Sequence, residues 1–330
     1  MSKIVWVELL KSNAVVTDAY LKAIGDAYER LGFSVNYTYD CLANGDRSSD
    51  HYVVAVASSA AKLKSKGARH ITFWAQGIWP EESYLRNHNK VSYLLCGQIE
   101  KFALGASEHV FAVSDAQVRH YEDKYSIDLR DRAYVMPCSN ETLHQESFFY
   151  EGKYEKPIFV YAGSMAKYQC INEMLHAFSK IQAVKPESEL LFYTSQQNEA
   201  RSLVAGLGLR NVTVGYAAPD KLNEVLAHAK YGFVIRDNSA VNRVATPTKI
   251  SSYISNGVIP VFSEGLQAFA ESSKGIVRLP YRESSVASDF LTLEKKSISA
   301  KQMLAEYGEY FKQEFDYKNR FSEICAFLRG

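Results

Sequence analysis

The sequence predicts an α/β chain of two doubly wound domains in tandem, each a mostly parallel sheet covered by helices. Three observations lead there. Short runs rich in β-branched and aromatic residues recur with longer polar or helical stretches between them, which is the rhythm of βαβ units. That rhythm lapses once, over 138–157, and then resumes. A length of 330 residues also exceeds what one hydrophobic core usually serves.

In the first half the strand candidates are KIVWVEL (3–9), FSVNYTY (33–39), YVVAVAS (52–58), HITFWA (70–75), HVFAVS (109–114) and AYVMP (133–137). Tyr20, Ile24, Ala27, Tyr28 and Leu31 share one helical face, and Gly32 stops that helix. The stretch CSNETLHQESFFYEGKYEKP (138–157) is polar and aromatic without period, so it reads as an interdomain connection, with domains over 1–150 and 151–330. Beyond it, PIFVYAGS (157–164), ELLFYTS (189–195), VTVGYA (212–217), YGFVIR (231–236), VIPVFS (258–263) and GIVRLP (275–280) are strand candidates. Helices are expected over 171–182 and 219–229, and the amphipathic segment 316–330 is free to pack on either domain, including back on the first.

Composition narrows the function. Lys plus Arg number 38 against 37 Asp plus Glu, so no global field recruits nucleic acid and any anion site must be local. The five cysteines show no C-x-x-C spacing, which predicts reduced thiols and neither a disulfide framework nor a zinc site. The eight histidines likewise lack ligand spacing, His70 and His109 reading as structural, so no metal is expected. MSKIVWVELL runs straight into strand-like residues, and no apolar run approaches the roughly 20 residues of a membrane helix. The expectation is a soluble cytoplasmic chain, with peripheral contact at the inner face of a membrane left open.

Ligands of open parallel sheets bind beyond the carboxyl ends of the strands, so the loops there carry the chemistry. After FVY come Ala162-Gly163-Ser164-Met165-Ala166-Lys167 and a helix; the glycine permits close approach and the helix start suits a phosphate, although such loops are as often plain turns. After YGFVI come Arg236, Asn242, Arg243 and Thr246-Pro247-Thr248-Lys249, where Pro247 in a first turn and Thr246 as its cap predict a helix start. Ile250, Tyr253 and Ile254 form its buried stripe, and Asn256-Gly257 ends it. Two guanidiniums, an ammonium and a helix N-terminus converging there would make a diphosphate site. The plainer alternative pairs these cations with Asp237 or Glu264 as surface charges.

Other diphosphate binders are excluded by their motifs: G-x-x-x-x-G-K-[ST] is absent, and the lone G-x-G, Gly206-Leu207-Gly208, follows a helix-like segment. There is no D-x-D pair to hold a divalent ion, so basic side chains and helix dipoles must do its work, with no cofactor. In the first half the loop Gln76-Gly77-Ile78-Trp79-Pro80-Glu81-Glu82-Ser83 offers two carboxylates for sugar hydroxyls or proton transfer, or equally two first-turn acids on a helix dipole. Ser114-Asp115 reads as a helix cap.

VNRVATPTKISSYISNGVIPVF resembles the donor-site segment of glycosyltransferase family 4, the retaining GT-B enzymes, in the variant reading roughly P-T-K-x-x-E-Y-x-x-x-G-x-P-V. FVYAGSMAKYQCINEMLHAF is similar to that family's Gly-containing loop and following helix, and LRNVTVGYAAPDKLNEVLAHAKYGFVIR to its nucleotide-side strands. FWAQGIWPEESYL and IEKFALGASEHVFAVSDAQVRHYEDKY resemble its acceptor-domain segments, so the likeness covers most of the chain and is strongest from Phe159 to Val261.

The resemblance implies two Rossmann-like domains facing across a cleft, a nucleotide-sugar donor on the second and a glycan or lipid-linked glycan acceptor on the first. It implies that Gly163 approaches the donor phosphates, that Lys167, Arg236, Arg243 and Lys249 are phosphate ligands, and that Asn242 binds the donor. Tyr193, Thr194, Gly215 and Tyr216 lie near the base by the same likeness. Ser164, Thr246, Thr248, Ser252 and Tyr253 fall in the matching segments and join the donor side, and Trp74, Gln76 and Gly77 the acceptor side. Arg236, Arg243 and Lys249 would stabilise the leaving diphosphate, with Glu81 and Glu82 the acidic candidates of the first domain. The chain departs from the family at Ser252, where a Glu usually holds the ribose hydroxyls, and at Val244, where the earlier Glu of the paired motif stands. The expected activity is metal-independent, retaining hexosyl transfer in the synthesis of a cell-surface polysaccharide such as a capsule or O-antigen; the alternatives are a non-catalytic nucleotide-sugar binding subunit and a GT-B-shaped epimerase.

Overall fold

The computed structural model describes residues 3–10, 14–139, 141–317 and 320–330. The chain divides into two compact units, one of residues 1–140 with 316–330 and the other of 141–315. Each is built on a six-stranded sheet whose strand pairs are all parallel.

The first unit holds β1 (Ile4–Glu8), β2 (Ser34–Thr38), β3 (His51–Val54), β4 (His70–Ala75), β5 (His109–Ala112) and β6 (Ala133–Val135), in the order β2-β1-β3-β4-β5-β6. The order reverses between β1 and β3, the point where the connections leave to opposite faces and a crevice opens. Central strands covered on both faces must be apolar throughout, and β5, His-Val-Phe-Ala, is buried at every position. The helix Ala14–Arg30 lays Tyr20, Leu21, Ile24, Ala27 and Tyr28 on the sheet and stops ahead of Gly32, whose φ of +88° suits glycine.

The second unit holds β7 (Ile158–Ala162), β8 (Glu189–Tyr193), β9 (Val212–Gly215), β10 (Tyr231–Val234), β11 (Ile259–Ser263) and β12 (Leu279–Tyr281), in the order β12-β11-β10-β7-β8-β9. Here the reversal lies between β7 and β10, so the loops that follow these two strands are the ones expected to hold a ligand. Phe159, Tyr231, Phe233 and Phe290 pack ring against ring in its core.

Three sequence expectations change. The run 52–58 is strand only to Val54, because the alanine-rich stretch after it favours helix and forms Ala57–Ser65. The stretch 138–157 is mostly part of the second unit: Phe148 is fully buried in its core, Ser147 Oγ donates to Asn256 Oδ1 at 2.9 Å, and the buried Lys153 ammonium donates to Leu226 and Ala227 carbonyls at 2.9 and 3.0 Å. The unit boundary therefore falls at 140/141 and not after 150. The terminal segment does return to the first unit, but its helix is shorter, Phe321–Phe327; it packs on Ala14–Arg30 and buries Ile324, Cys325 and Leu328 in the core there.

Ile324→Ala should therefore cost the first unit about 2–5 kcal/mol, the usual range for truncating a buried branched side chain. Amide exchange in β1 and β4 should accelerate while that of β7 and β10 stays unchanged; equal exchange in all four strands before and after the substitution would take this helix out of the first core.

Candidate functional site

β7 and β10 are neighbours, and the chain leaves them at Gly163 and Ile235. Gly163 has φ +154°, and a Cβ there would stand 2.7 Å from Lys249 Nζ, so only glycine lets that ammonium lie against the backbone. Lys249 Nζ sits 4.4 Å from the centre of the Tyr161 ring and donates to Gln169 Oε1 at 2.7 Å and to Tyr161 Oη at 3.4 Å. Arg236 is buried, donates to the Ile235 carbonyl at 3.0 Å and lies 5.5 Å from the Tyr168 ring centre. Its backbone is fixed by Ser263, whose Oγ accepts from Arg236 N at 2.8 Å and donates to Arg236 O at 2.7 Å.

Burial, and next the Arg236 charge, hold the Lys249 ammonium down at about 7. Burial also lowers Arg236, against the opposing pull of Tyr161, Cys170 and further tyrosines. Among the described residues neither cation is in an ion pair: the hydrogen bonds of both go to neutral groups. Two desolvated cations of like sign, without an acid between them, form an arrangement that is costly until an anion arrives. The plainer pairing does not occur: Glu264 accepts from Arg282 Nε at 2.7 Å, and Asp237 accepts from the Asn242 side-chain amide and from Ser239 N.

Beside the pair begins the helix Thr248–Ser255. Its N-cap is Pro247, one residue later than expected, and proline carries no side-chain oxygen to accept the first N–H groups. The expected stripe holds, with Ile250, Tyr253 and Ile254 buried. Tyr253 is thereby a core residue, its hydroxyl donating to Phe233 O at 3.2 Å and its ring occupying the space that Gly232 leaves, which corrects its expected donor contact. Ser252 Oγ donates to Glu141 Oε1 at 3.0 Å and to Thr248 O at 3.2 Å, which brings a carboxylate from the start of the unit to the position where the resembling family carries Glu.

The remaining donor-side residues divide. Arg243 donates to Asn238 O and Oδ1 at 3.0 and 3.1 Å, and Asn242 is buried against Asp237, so both shape the loop after β10. Ser164 and Lys167 are exposed beside Gly163, and Thr248 is half-buried at the helix start. Tyr193 stands opposite Gly215 across β8 and β9, and a Cβ on Gly215 would come 3.1 Å from its ring. Thr194 is buried with its Oγ1 accepting from Gln196 N at 3.2 Å, whereas Tyr216 is 60% exposed.

In the first unit the loop after β4 is clamped. The Gly77 carbonyl accepts from Tyr121 Oη at 2.6 Å and Gln117 Nε2 at 2.9 Å. Trp79–Asn87 is helical with Pro80, Glu81 and Glu82 in its first turn. Burial disfavours charge on Glu81 most strongly, yet His120, with Nε2 3.3 Å away, and the hydrogen bond from Lys124 at 2.6 Å outweigh it and hold the carboxyl at about 2. Burial raises Glu82, whose carboxylate folds over Gly77. Gln76 is exposed, but Trp74 is buried and packs at 4.5 Å, tilted by 36°, against the Tyr20 ring, so the expected acceptor contact is instead core packing.

Two acids went unnoticed in the sequence. Glu8 closes β1 at the first unit's reversal point, is 7% exposed, and has Oε2 without a hydrogen-bond partner among the described residues. The signal was there: an acid ending an apolar strand. Glu100 is buried inside helix Lys90–Ala106, accepts from Trp79 N at 2.9 Å and Tyr125 Oη at 2.7 Å, and is pushed by burial up to about 7. At the other end of the sheet His51, His70 and Glu108 bring three ligand atoms within 4.8 Å of one another. The two imidazoles stack at 4.3 Å and 12°, so their in-plane lone pairs run side by side and do not converge on one ion.

No protein-family model matches the chain, and no curated protein matches it in sequence. Solved structures do match. The chain is 13% identical to HepE of Anabaena, crystallised with UDP, over 99% of each chain at a TM-score of 0.68. It is 11% identical to WaaG, a glycosyltransferase involved in lipopolysaccharide biosynthesis, over 99% of this chain and 100% of that one at 0.61. A UDP-forming α,α-trehalose-phosphate synthase from Burkholderia vietnamiensis matches at 12% identity over 99% and 100% at 0.63. The fold is therefore GT-B, with two Rossmann-like units.

Burial lowers both Lys153 and Lys249 from 10.5 to about 7, so between those pH values the unfolded chain carries protons that the folded chain has released. Stability should rise with pH across that window, and Lys249→Met should flatten the rise. Urea midpoints from pH 7 to 10 test this; an unaltered slope in the variant means that Lys249 is not desolvated.

Proposed function

We propose that the chain is a glycosyltransferase that moves a hexosyl group from a nucleoside-diphosphate sugar to a glycan or lipid-linked glycan acceptor, without metal and with retention of configuration. The second unit holds the donor and the first the acceptor. The observation that carries this reading is the Arg236 and Lys249 pair, desolvated, in no ion pair among the described residues and set at the reversal point of the second sheet.

Cleavage of the anomeric C–O bond leaves negative charge on the departing diphosphate. Cations already in place and shielded from water stabilise that charge more than they stabilise the bound donor, which is the condition for lowering the barrier. With its ammonium at about 7, Lys249 is partly neutral in the empty site and gains its proton as the phosphates arrive. The uncapped start of Thr248–Ser255 adds a helix dipole of the right sign. HepE crystallised with UDP and with UDP-glucose supports a uridine nucleotide as donor, and the involvement of WaaG in lipopolysaccharide biosynthesis is in keeping with a glycan acceptor.

Glu141 takes the place of the family's ribose-binding acid. Its carboxylate is held by Ser252 at 3.0 Å, so the serine orients an acid supplied from elsewhere in the same unit. Glu81, fixed by Lys124 and His120, shapes the acceptor loop, while Ser164, Lys167, Tyr193, Tyr216 and Thr248 complete the donor side. The absence of the family acids at 244 and 252 is what favours the second reading, a subunit that binds nucleotide sugars without turnover.

Incubation with a panel of nucleotide sugars tests the reading. Donor hydrolysis or transfer is expected, falling about 10²–10³-fold in Arg236→Ala and in Lys249→Ala, as on removing an oxyanion donor. Turnover that survives both substitutions nearly intact overturns the assignment, and binding without turnover selects the second reading. Glu141→Gln should raise the donor KM more than it lowers kcat; an unchanged KM would remove Glu141 from the donor site.

A further inference from the structure

The loop after β7 contains one 3₁₀ turn, Lys167–Gln169, and two adjacent side chains of that turn serve the two cations. Tyr168 sets its ring 5.5 Å from the Arg236 guanidinium, and Gln169 Oε1 accepts from Lys249 Nζ at 2.7 Å. An ammonium donates and does not accept, so the Gln169 amide must present its oxygen to it.

The turn that carries this amide is held from outside the pair. Gln169 is 7% exposed, its N–H donates to Ala166 O at 2.8 Å, and Met165 N donates to Gln196 Oε1 at 2.9 Å. Cys170 closes the turn at φ +51°, a left-handed conformation that costs a residue with a side chain and persists only where the surroundings impose it.

The absence of charge at position 169 has a physical consequence. A carboxylate there would pair with Lys249 in a site without water, hold it protonated and fill the anion's place with the chain's own charge. A neutral oxygen gives the ammonium a weaker hydrogen bond than a phosphate oxygen does, so it yields when a phosphate arrives. Tyr161, Tyr168, Cys170 and Tyr253 also act on the pair through Arg236. Burial raises the Tyr161 and Tyr253 hydroxyls and the Cys170 thiol above their ordinary values, so none of these three brings a negative charge near neutral pH.

We propose that Gln169 is the positioning residue of the cation pair: its uncharged amide oxygen holds Lys249 Nζ where a phosphate oxygen is to bind, and gives that place up to the ligand. The proposal rests on the reading of this site as a diphosphate site.

Titration calorimetry of the full chain with UDP from pH 7.5 to 9, where the phosphates of UDP no longer titrate, tests it. In the wild type Lys249 must take up a proton with the ligand, so affinity should fall about ten-fold per pH unit. Gln169→Glu should bind about 10²-fold more weakly at pH 7.5 and lose that fall, because Lys249 stays protonated throughout. Gln169→Met, neutral and of similar length, should bind about ten-fold more weakly and keep the fall. If position 169 only shaped the loop, both variants would weaken alike with the wild-type slope, and that result overturns the proposal. So does wild-type affinity in either variant. These outcomes leave the diphosphate reading standing, whereas a wild type that binds no UDP removes that reading and the proposal with it.

Discussion

Two positive charges that have lost water without gaining an acid set the terms for the second unit. Arg236 and Lys249 are kept close by neutral groups: the Tyr161 ring, the Tyr168 ring, Gln169 and backbone carbonyls. Each supporting residue has a constraint of its own. Gly163 must lack a side chain for Lys249 to lie where it does, and Gly232 must lack one so that Tyr253 can brace β7 and β10 from beneath. A conventional ion pair would be easier to build and would leave nothing for an anion to bind.

The two sheets share a parallel build but reverse at different places, between β1 and β3 in one and between β7 and β10 in the other. Their strand-end chemistry differs accordingly. The first unit collects acids and tyrosines, with Glu8 at its reversal point and Glu81, Glu82 and Glu100 around the loop after β4. The second collects cations. Hydroxyl-rich ligands suit the former, since carboxylates accept from sugar hydroxyls, and phosphorylated ligands suit the latter.

Much of this could be read from the chain. The strands follow from apolar runs because buried parallel strands are apolar at nearly every position, as in β5 and β10, although the last, Leu279–Tyr281, begins four residues later than the run 275–280 that was expected to form it. The Arg236, Gly163 and Lys249 association was also visible, since strand-end loops in doubly wound sheets meet by topology. What stayed hidden depends on side-chain direction. Periodicity places Tyr253 and Trp74 in ordered elements but does not tell core from ligand surface, and both proved to be core. Arg243 looked equivalent to Arg236 and instead closes its own loop through Asn238. Glu141 lies 111 residues from Ser252, too far in sequence for any local pattern to join them. The stretch 138–157 looked like a linker because its apolar residues are aromatic and unevenly spaced, although Phe148 is fully buried.

A crystal structure with a bound nucleoside diphosphate tests the central claim most directly. Pyrophosphate oxygens should lie within hydrogen-bond reach of the Arg236 guanidinium and Lys249 Nζ, against the backbone at Gly163, with the nucleoside towards Glu141 and Ser252. A diphosphate bound elsewhere, with these two cations still facing only tyrosine and glutamine, would contradict it.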